Sequence, residues 1–352
     1  MKRKLLIMVT AIVLAIAMMP AMAFAGTSSD EVTVKFSAGT SGAFDMVDES
    51  ITATGNLAEI FFPAIKDNEP EGVSFADVLV AAHIEKYGAG KVHDNLDISS
   101  ATWGTRMNKQ FGHEIVGFYY QNNSALTGSV SDPVQSGDVL FAGAYSDYTY
   151  ADLFTTFSKK TYKATAGKQF NVQLSSDNWS TAVTPSEIKM AKVNKNTGKF
   201  TLLTTAYSNG TAKTTINNAG VYYISAKGVA KYEIRDGETG DMVETTGPCV
   251  GALAKVTVGL DKVKKLKKKK AYKKKIALKW KKVTGAKKYQ VYRATKKNGT
   301  FKKVGTTAKI TFTNKNLKKN KKYFYKVRAI ATVSGKTYRG EYSSVVGIKT
   351  KK

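Results

Sequence analysis

The stretch Lys275–Arg293, KIALKWKKVTGAKKYQVYR, decides how the C-terminal third of this chain folds. Ile276, Leu278 and Trp280 alternate with Ala277 and Lys279, which places three large apolar groups on one side of an extended strand. After a break at Val283-Thr284-Gly285-Ala286 the alternation resumes with Tyr289 and Val291 on one face and Gln290 and Tyr292 on the other. Further on, Tyr323, Tyr325, Val327 and Ala329 share a face of a third strand. Residues of period two separated by turns predict two antiparallel layers closing on one apolar core.

These residues closely resemble a fibronectin type III domain of the lysine-rich kind found in secreted proteins of Gram-positive bacteria. Trp280 on an early strand, Val283-Thr284-Gly285-Ala286 and Tyr289-Gln290-Val291-Tyr292-Arg293 carry the resemblance. Leu317 followed six residues later by Tyr323 looks like the family's tyrosine corner, whose hydroxyl ties back to the backbone. The family usually has a proline after that leucine, where this chain has Lys318, Lys319 and Asn320. The likeness implies a β-sandwich over 259–352.

Charge marks the same boundary. From Gly259 to the end there are 33 lysines and arginines against two acids, Asp261 and Glu341, a net of +31 in a chain of total +28. Residues 26–258 carry 19 basic and 25 acidic residues, a net of −6. A mildly acidic body is thus joined to a very basic domain, whose field favours polyanions and says little about catalysis.

The first 25 residues read as an export signal. Lys2, Arg3 and Lys4 precede the apolar run Leu5–Met19, Pro20 ends it, and Ala23-Phe24-Ala25 offers a cleavage site. The run falls short of the about 20 residues a spanning helix needs. The mature protein is expected to begin near Gly26, extracellular, with neither a lipidated cysteine nor a sortase sequence, so any attachment to the cell wall would be non-covalent. The one cysteine, Cys249, cannot form an intrachain disulfide, and stability must come from buried cores.

Between signal and basic domain two segments are distinguished. Residues 26–152 open on the alternating Val32, Val34, Phe36. A helix is predicted over Ser74–Tyr87, with Ser74 as N-cap, Asp77 completing a capping box, Gly88 as stop, and Phe75, Val78, Leu79 and Ala82 as its apolar stripe. Strand-like runs follow at Ile115–Tyr120 and Val139–Ala144. The order Val73–Leu79, Gly117–Asn123, Gln135–Leu140 resembles the β-grasp-like domain at the C-terminus of cobalamin-carrier proteins, which implies a small α+β unit. Residues 153–258 hold short β-prone runs with Asn196-Thr197-Gly198 as a tight turn. Ala166–Val172 and Ala219–Tyr223 resemble strands of a bacterial Ig-like module. The chain is therefore expected to be mainly β and multidomain: signal 1–25, β-grasp-like α+β domain 26–152, Ig-like β-sandwich 153–258 and fibronectin type III domain 259–352.

Chemistry is sparse. His83, His93 and His113 match no compact zinc spacing and are read as unrelated surface groups, with His83 on the exposed edge of its helix. Asp94 and Asp97 lack the oxygen density of a calcium loop. No Gly-x-Ser-x-Gly, His-Glu-x-x-His or meaningful Cys/His pair occurs, and no cofactor is implied. Phe118, Tyr119 and Tyr120, with Tyr145, Tyr148 and Tyr150, are read first as alternating core residues and second as a stacking platform for a sugar or planar ligand. In that second reading Trp103, Arg106 and Asn122 belong to the same ligand-binding surface. The runs Lys267–Lys270 (Lys267, Lys268, Lys269, Lys270) and Lys273–Lys275 (Lys273, Lys274, Lys275) are either a solubilising face or a site for an anionic cell-wall polymer, polysaccharide or extracellular DNA. No recognition helix for sequence-specific nucleic acid is present. The resulting expectation is a secreted, non-enzymatic modular surface protein, with the N-terminal domains holding a glycan, protein or other ligand and the basic domain acting as spacer and electrostatic tether. A corrinoid-like small-molecule binder and an accessory carbohydrate-binding protein are the alternatives.

Overall fold

A computed structural model describes residues 31–68, 70–101, 104–114, 116–122, 124–126, 130–146, 152–176, 183–184, 188–235 and 239–352. The export-signal reading and Trp103 fall outside them. The described residues form a mainly β, multidomain chain, and the middle sheet runs one residue past 258, where Gly259 pairs with Thr165.

The first segment is a mixed sheet carrying a helix. Its strands are β1 (Glu31–Gly39), β2 (Phe44–Thr54), β3 (Asp97–Ala101), β4 (Gly104–Lys109), β5 (Val116–Gln121), β6 (Ser124–Ala125) and β7 (Val139–Ala144). Five of them line up as β2-β1-β7-β5-β6, with β3 and β4 forming a separate hairpin. β1 runs parallel to β7 and antiparallel to β2. Helix α1 (Phe75–Tyr87) starts at the capping box read from the sequence: Ser74 accepts from the Asp77 backbone while the Asp77 carboxylate accepts from the Ser74 N–H. Every residue from Phe75 through His83 is buried. The one-sided stripe is therefore corrected: the helix packs on the sheet through Phe75 and Phe36, Phe111 stacks on His83 beside the same Phe36, and the segment Leu57–Phe61 packs on it as well, with Ala58 N–H donating to Asp77.

The middle segment comprises β8 (Leu153–Phe157), β9 (Thr161–Thr165), β10 (Gln169–Ser176), β11 (Val183–Thr184), β12 (Lys189–Val193) and β13 (Phe200–Leu202). It continues with β14 (Thr205–Ser208), β15 (Thr211–Thr215), β16 (Gly220–Lys227), β17 (Val229–Arg235), β18 (Met242–Gly251) and β19 (Ala254–Gly259). Two sheets result, β11-β17-β18-β8-β10-β15-β14 and β13-β12-β16-β19-β9. They enclose Val172, Met190, Ile224, Val256 and Val258, the core of an Ig-like sandwich. The first strand of each sheet to leave the chain joins the last in parallel, β8 with β18 and β9 with β19.

The basic segment has β20 (Lys267–Ala271), β21 (Ile276–Lys279), β22 (Lys288–Ala294), β23 (Lys302–Thr307), β24 (Thr311–Asn314), β25 (Lys322–Val333), β26 (Lys336–Arg339) and β27 (Val346–Lys349). One sheet is β20-β21-β24, and the other is β23-β22-β25-β26 with β27 also on β25. Ile276, Leu278, Trp280, Tyr289, Val291, Tyr325, Val327 and Ala329 all face the interior, as the alternation predicts. The Tyr323 hydroxyl accepts the Lys318 N–H at 3.0 Å, and the Tyr289 hydroxyl accepts the Val283 N–H at 3.0 Å. This is a fibronectin type III-like β-sandwich with the expected tyrosine corner in place.

The domains are not beads on a string. Phe44, Val47, Tyr120, Phe141 and Phe154 join Val193 and Ala252 in a small core between the first two domains. Around it, Tyr223 donates to Asp48 at 2.6 Å and Lys255 pairs with the same carboxylate at 3.2 Å. Lys195 reaches the Val47 and Asp48 carbonyls and Glu49. The middle and basic domains share one continuous apolar cluster from Leu153 to Ile348.

Candidate functional site

The lysine runs sit on and beside one edge strand. β20 is the outer strand of its sheet, and Lys267, Lys268, Lys269 and Lys270 are all exposed along it. A β-bulge between Lys268 and Lys270 breaks the simple in–out alternation, so the strand presents charge rather than a hydrogen-bonding edge. A lysine-covered edge resists pairing with another sheet, and that accounts for some of this charge.

It does not account for the next run. Tyr272 donates its N–H to the Lys275 carbonyl at 2.8 Å, closing the turn between β20 and β21 so that Lys273, Lys274 and Lys275 project from its tip. Leu317 donates to the Lys274 carbonyl at 2.9 Å, which pins the β24–β25 loop to that turn. Lys351 donates to the Tyr272 carbonyl at 3.1 Å, and Asn320 donates to the Lys351 carbonyl at 3.1 Å. Three segments distant in sequence are thus held together by backbone hydrogen bonds.

Between them opens a cleft of about 650 Å³ in which Lys315, Lys319 and Lys351 join Lys273–Lys275 around the half-buried ring of Tyr272. The Lys275 ammonium lies 4.5 Å from the centre of that ring and Lys270 5.4 Å, within reach of its electron-rich face. No carboxylate lines the cleft. In this domain the ion pairs among the described residues converge on Asp261, at the opposite pole. Six lysines line this open cleft, and such a basic surface suits an anionic group with several oxygen acceptors. Sequence reasoning named three of the six. Lys315, Lys319 and Lys351 were missed because nothing local links them to the Lys273–Lys275 turn.

The N-terminal candidates do not converge into a comparable site. Arg106 is exposed on the β3–β4 hairpin. Tyr120 is 1% exposed and stacks on Phe141, while Phe118 lies half-buried against Phe154 and Tyr145. Tyr119, on the other face of β5, sets its ring edge-on to Phe75, and its buried hydroxyl has no partner. Burial raises the Tyr119 phenol above its ordinary pKa. The aromatic row is therefore divided between two cores rather than laid out as a stacking platform. Asn122 adopts a positive φ of 55° in the β5–β6 turn, where its carbonyl oxygen accepts from Val139 N–H and Lys160 and its amide donates to Asp138.

The surface reading holds for the exposed His93, and His113 is partly exposed, but His83 needs correction. His83 is fully buried, with Nδ1 2.7 Å from the Leu79 carbonyl and Nε2 accepting the Phe111 N–H at 2.9 Å. Burial drives its pKa down to about 4. His93 packs edge-on to Phe62, and His113 pairs with Asp45 at 2.9 Å. Burial pushes the Asp45 carboxyl up, but the bonds from His113 and Lys86 outweigh it and leave it below its usual range. Asp94 is engaged by Lys91 and Asp97 by Asn108. Among the described residues no three metal-ligating side chains gather. No helix among them is long and apolar enough to cross a membrane.

No protein-family model and no curated protein matches the chain. Among solved structures it is similar to the fibronectin type III protein FN3tt, at 21% identity over 26% of this chain and 86% of that one, TM-score 0.20. A fibronectin type III domain of human fibronectin type III domain containing protein 3 is 24% identical over 26% of this chain and 87% of that one, TM-score 0.23. Titin domains A168–A170 are 13% identical over 73% of this chain and 83% of theirs, TM-score 0.24.

Proposed function

We propose that this is an extracellular, non-enzymatic modular protein held to polyanions by its fibronectin type III domain, with the two preceding domains projected from that anchor. One observation carries the reading: six lysines from three separate segments are stapled around a single cleft with no carboxylate to neutralise them. A charge that served solubility alone would be spread over the surface and mixed with acids. The acidic balance of residues 26–258 keeps those domains from competing for the same anions. The shared apolar clusters support a stiff spacer rather than a loosely hinged one.

The test is retention of residues 26–352 on immobilised polyphosphate and on purified anionic wall polymer across a salt series. Binding should weaken with salt at a slope of about −0.7 per contacted charge, as for flexible single-chain polyanions. Replacing Lys273, Lys274, Lys275, Lys315, Lys319 and Lys351 with alanine should flatten that slope and release the protein. Binding that ignores both salt and the six substitutions would refute the tether.

A further inference from the structure

A second basic pocket lies at the other pole of the same domain, where it meets the middle sandwich. It has a volume of about 200 Å³, and Lys262, Lys264, Lys281 and Lys282 face Lys168 of the sandwich across it, with Thr284 on its wall. One carboxylate is present. Asp261 pairs with Lys168 at 3.0 Å and Lys264 at 3.3 Å. Burial raises the Asp261 carboxyl and the surrounding lysine and backbone bonds lower it more, so it stays ionised below its ordinary range. Lys262, Lys281 and Lys282 have no carboxylate partner among the described residues.

The two basic sites share a surface. β20 and β21 run antiparallel from pole to pole, with Lys267 opposite Lys279 near the joint and Ala271 opposite Ile276 near the distal turn. Lys281 donates its N–H to the Lys264 carbonyl at 3.0 Å, so the joint pocket begins where β20 and β21 end. From Lys262 to Lys282 the chain holds 13 lysines and no acid, and all of them are exposed. Lys267–Lys270 bridge the gap along the sheet edge. Six residue steps separate Lys275 from Lys281, about 20 Å at about 3.3 Å per step.

We infer that the two pockets are the ends of one track, about 20 Å long, that takes a flexible linear polymer of phosphate-type charges laid along the β20 edge. The inference rests on the polyanion reading above and specifies its substrate class. A monomeric anion fills one pocket only. A single flexible chain follows an edge one strand wide and bent by a bulge, whereas a rigid duplex meets such an edge at few points. Occupation of the joint pocket would also draw Lys168 of the middle domain onto the ligand, so both domains grip the polymer.

The experiment measures affinities of residues 26–352 for tripolyphosphate and for polyphosphate fractions of graded length at fixed salt. Affinity should rise on the order of 100-fold once the extended chain exceeds the pocket separation, because the second pocket is then filled intramolecularly, and flatten beyond it. Lys281→Ala with Lys282→Ala should abolish the rise and leave tripolyphosphate binding at the distal cleft. The charge-matched pair Lys296→Ala with Lys297→Ala, off the track on the β22–β23 turn, should leave the rise intact. If the two pairs are equally harmful, affinity follows total charge and the track is refuted while the tether survives. Tighter binding of a rigid DNA duplex than of polyphosphate of equal charge would refute the flexible-chain assignment. If no polyphosphate of any length binds at low salt, the tether itself fails.

Discussion

Acidification should destabilise the first domain through a single side chain. Neutral His83 holds its Nδ1 proton on the Leu79 carbonyl and uses the Nε2 lone pair to accept from Phe111 N–H. A second proton on Nε2 would face that N–H donor, in a fully buried site where Phe111 stacks on the ring at 4.0 Å. Burial, aided by the nearby Lys86 cation, depresses the pKa from 6.5 to about 4. The unfolded chain therefore binds a proton near pH 6.5 that the folded chain refuses. The neutral ring's contribution is fully present above pH 6.5 and is lost as pH falls toward 4. A shift of this size is worth about 3 kcal/mol, at about 1.4 kcal/mol per unit. Guanidinium unfolding at pH 7, 6, 5 and 4.5 would read the loss, with His83→Gln as the reference that cannot titrate. The substitution lowers stability at every pH but should remove most of the slope in that window. In proton NMR, the imidazole signal missing from His83→Gln should keep its neutral shift until about pH 4. Parallel stability profiles for the two proteins, or an imidazole at position 83 that titrates near 6.5, would refute the reasoning.

Other consequences are simpler to check. Tyr223→Phe removes the hydroxyl that donates to Asp48 across the joint of the first two domains, and should cost about 1–2 kcal/mol in thermal or denaturant unfolding, with faster proteolysis between the domains. Tyr323→Phe strands the Lys318 N–H and should cost the basic domain about 1 kcal/mol, read by chemical denaturation. Cys249 is 1% exposed, and burial followed by the nearby Asp152 pushes its thiol up to about 12, so a thiol reagent at pH 8 should label it only after denaturant is added.

Much of the fold was legible because it follows from local rules. The Ser74/Asp77 box marks the start of α1, and strict alternation from Ile276 to Val291 sorts core from surface. What was hidden depends on partners far along the chain. His83 looked exposed because the helix stripe accounts for one packing face, and the group that stacks on its ring, Phe111, comes from later in the chain. The Phe118–Tyr120 row looked available because Phe154, which covers Phe118, belongs to the next domain. The distal cleft was half visible: Lys273–Lys275 stand out as a run, whereas Lys315, Lys319 and Lys351 are scattered residues that backbone hydrogen bonds bring to the same floor. The joint pocket needed Lys168, which lies in a different sandwich.

The parallel pairing of first and last strands bears on how such a chain would carry load. In the first domain β1 lies alongside β7 from Lys35↔Val139 to Gly39↔Gly143, and in the second β9 lies alongside β19 from Thr161↔Lys255 to Thr165↔Gly259. Tension applied at the two ends of the first domain pulls β1 and β7 in opposite senses along their length, whereas the second domain is entered through β8, which pairs with β18 in the other sheet. The β1–β7 bonds are then strained together in shear instead of opening one after another like a zipper. Stretching single molecules between the termini should show a high, discrete rupture force for the first domain. A protein gripped at one pole and pulled at the other would give way at its ionic anchor before its domains came apart.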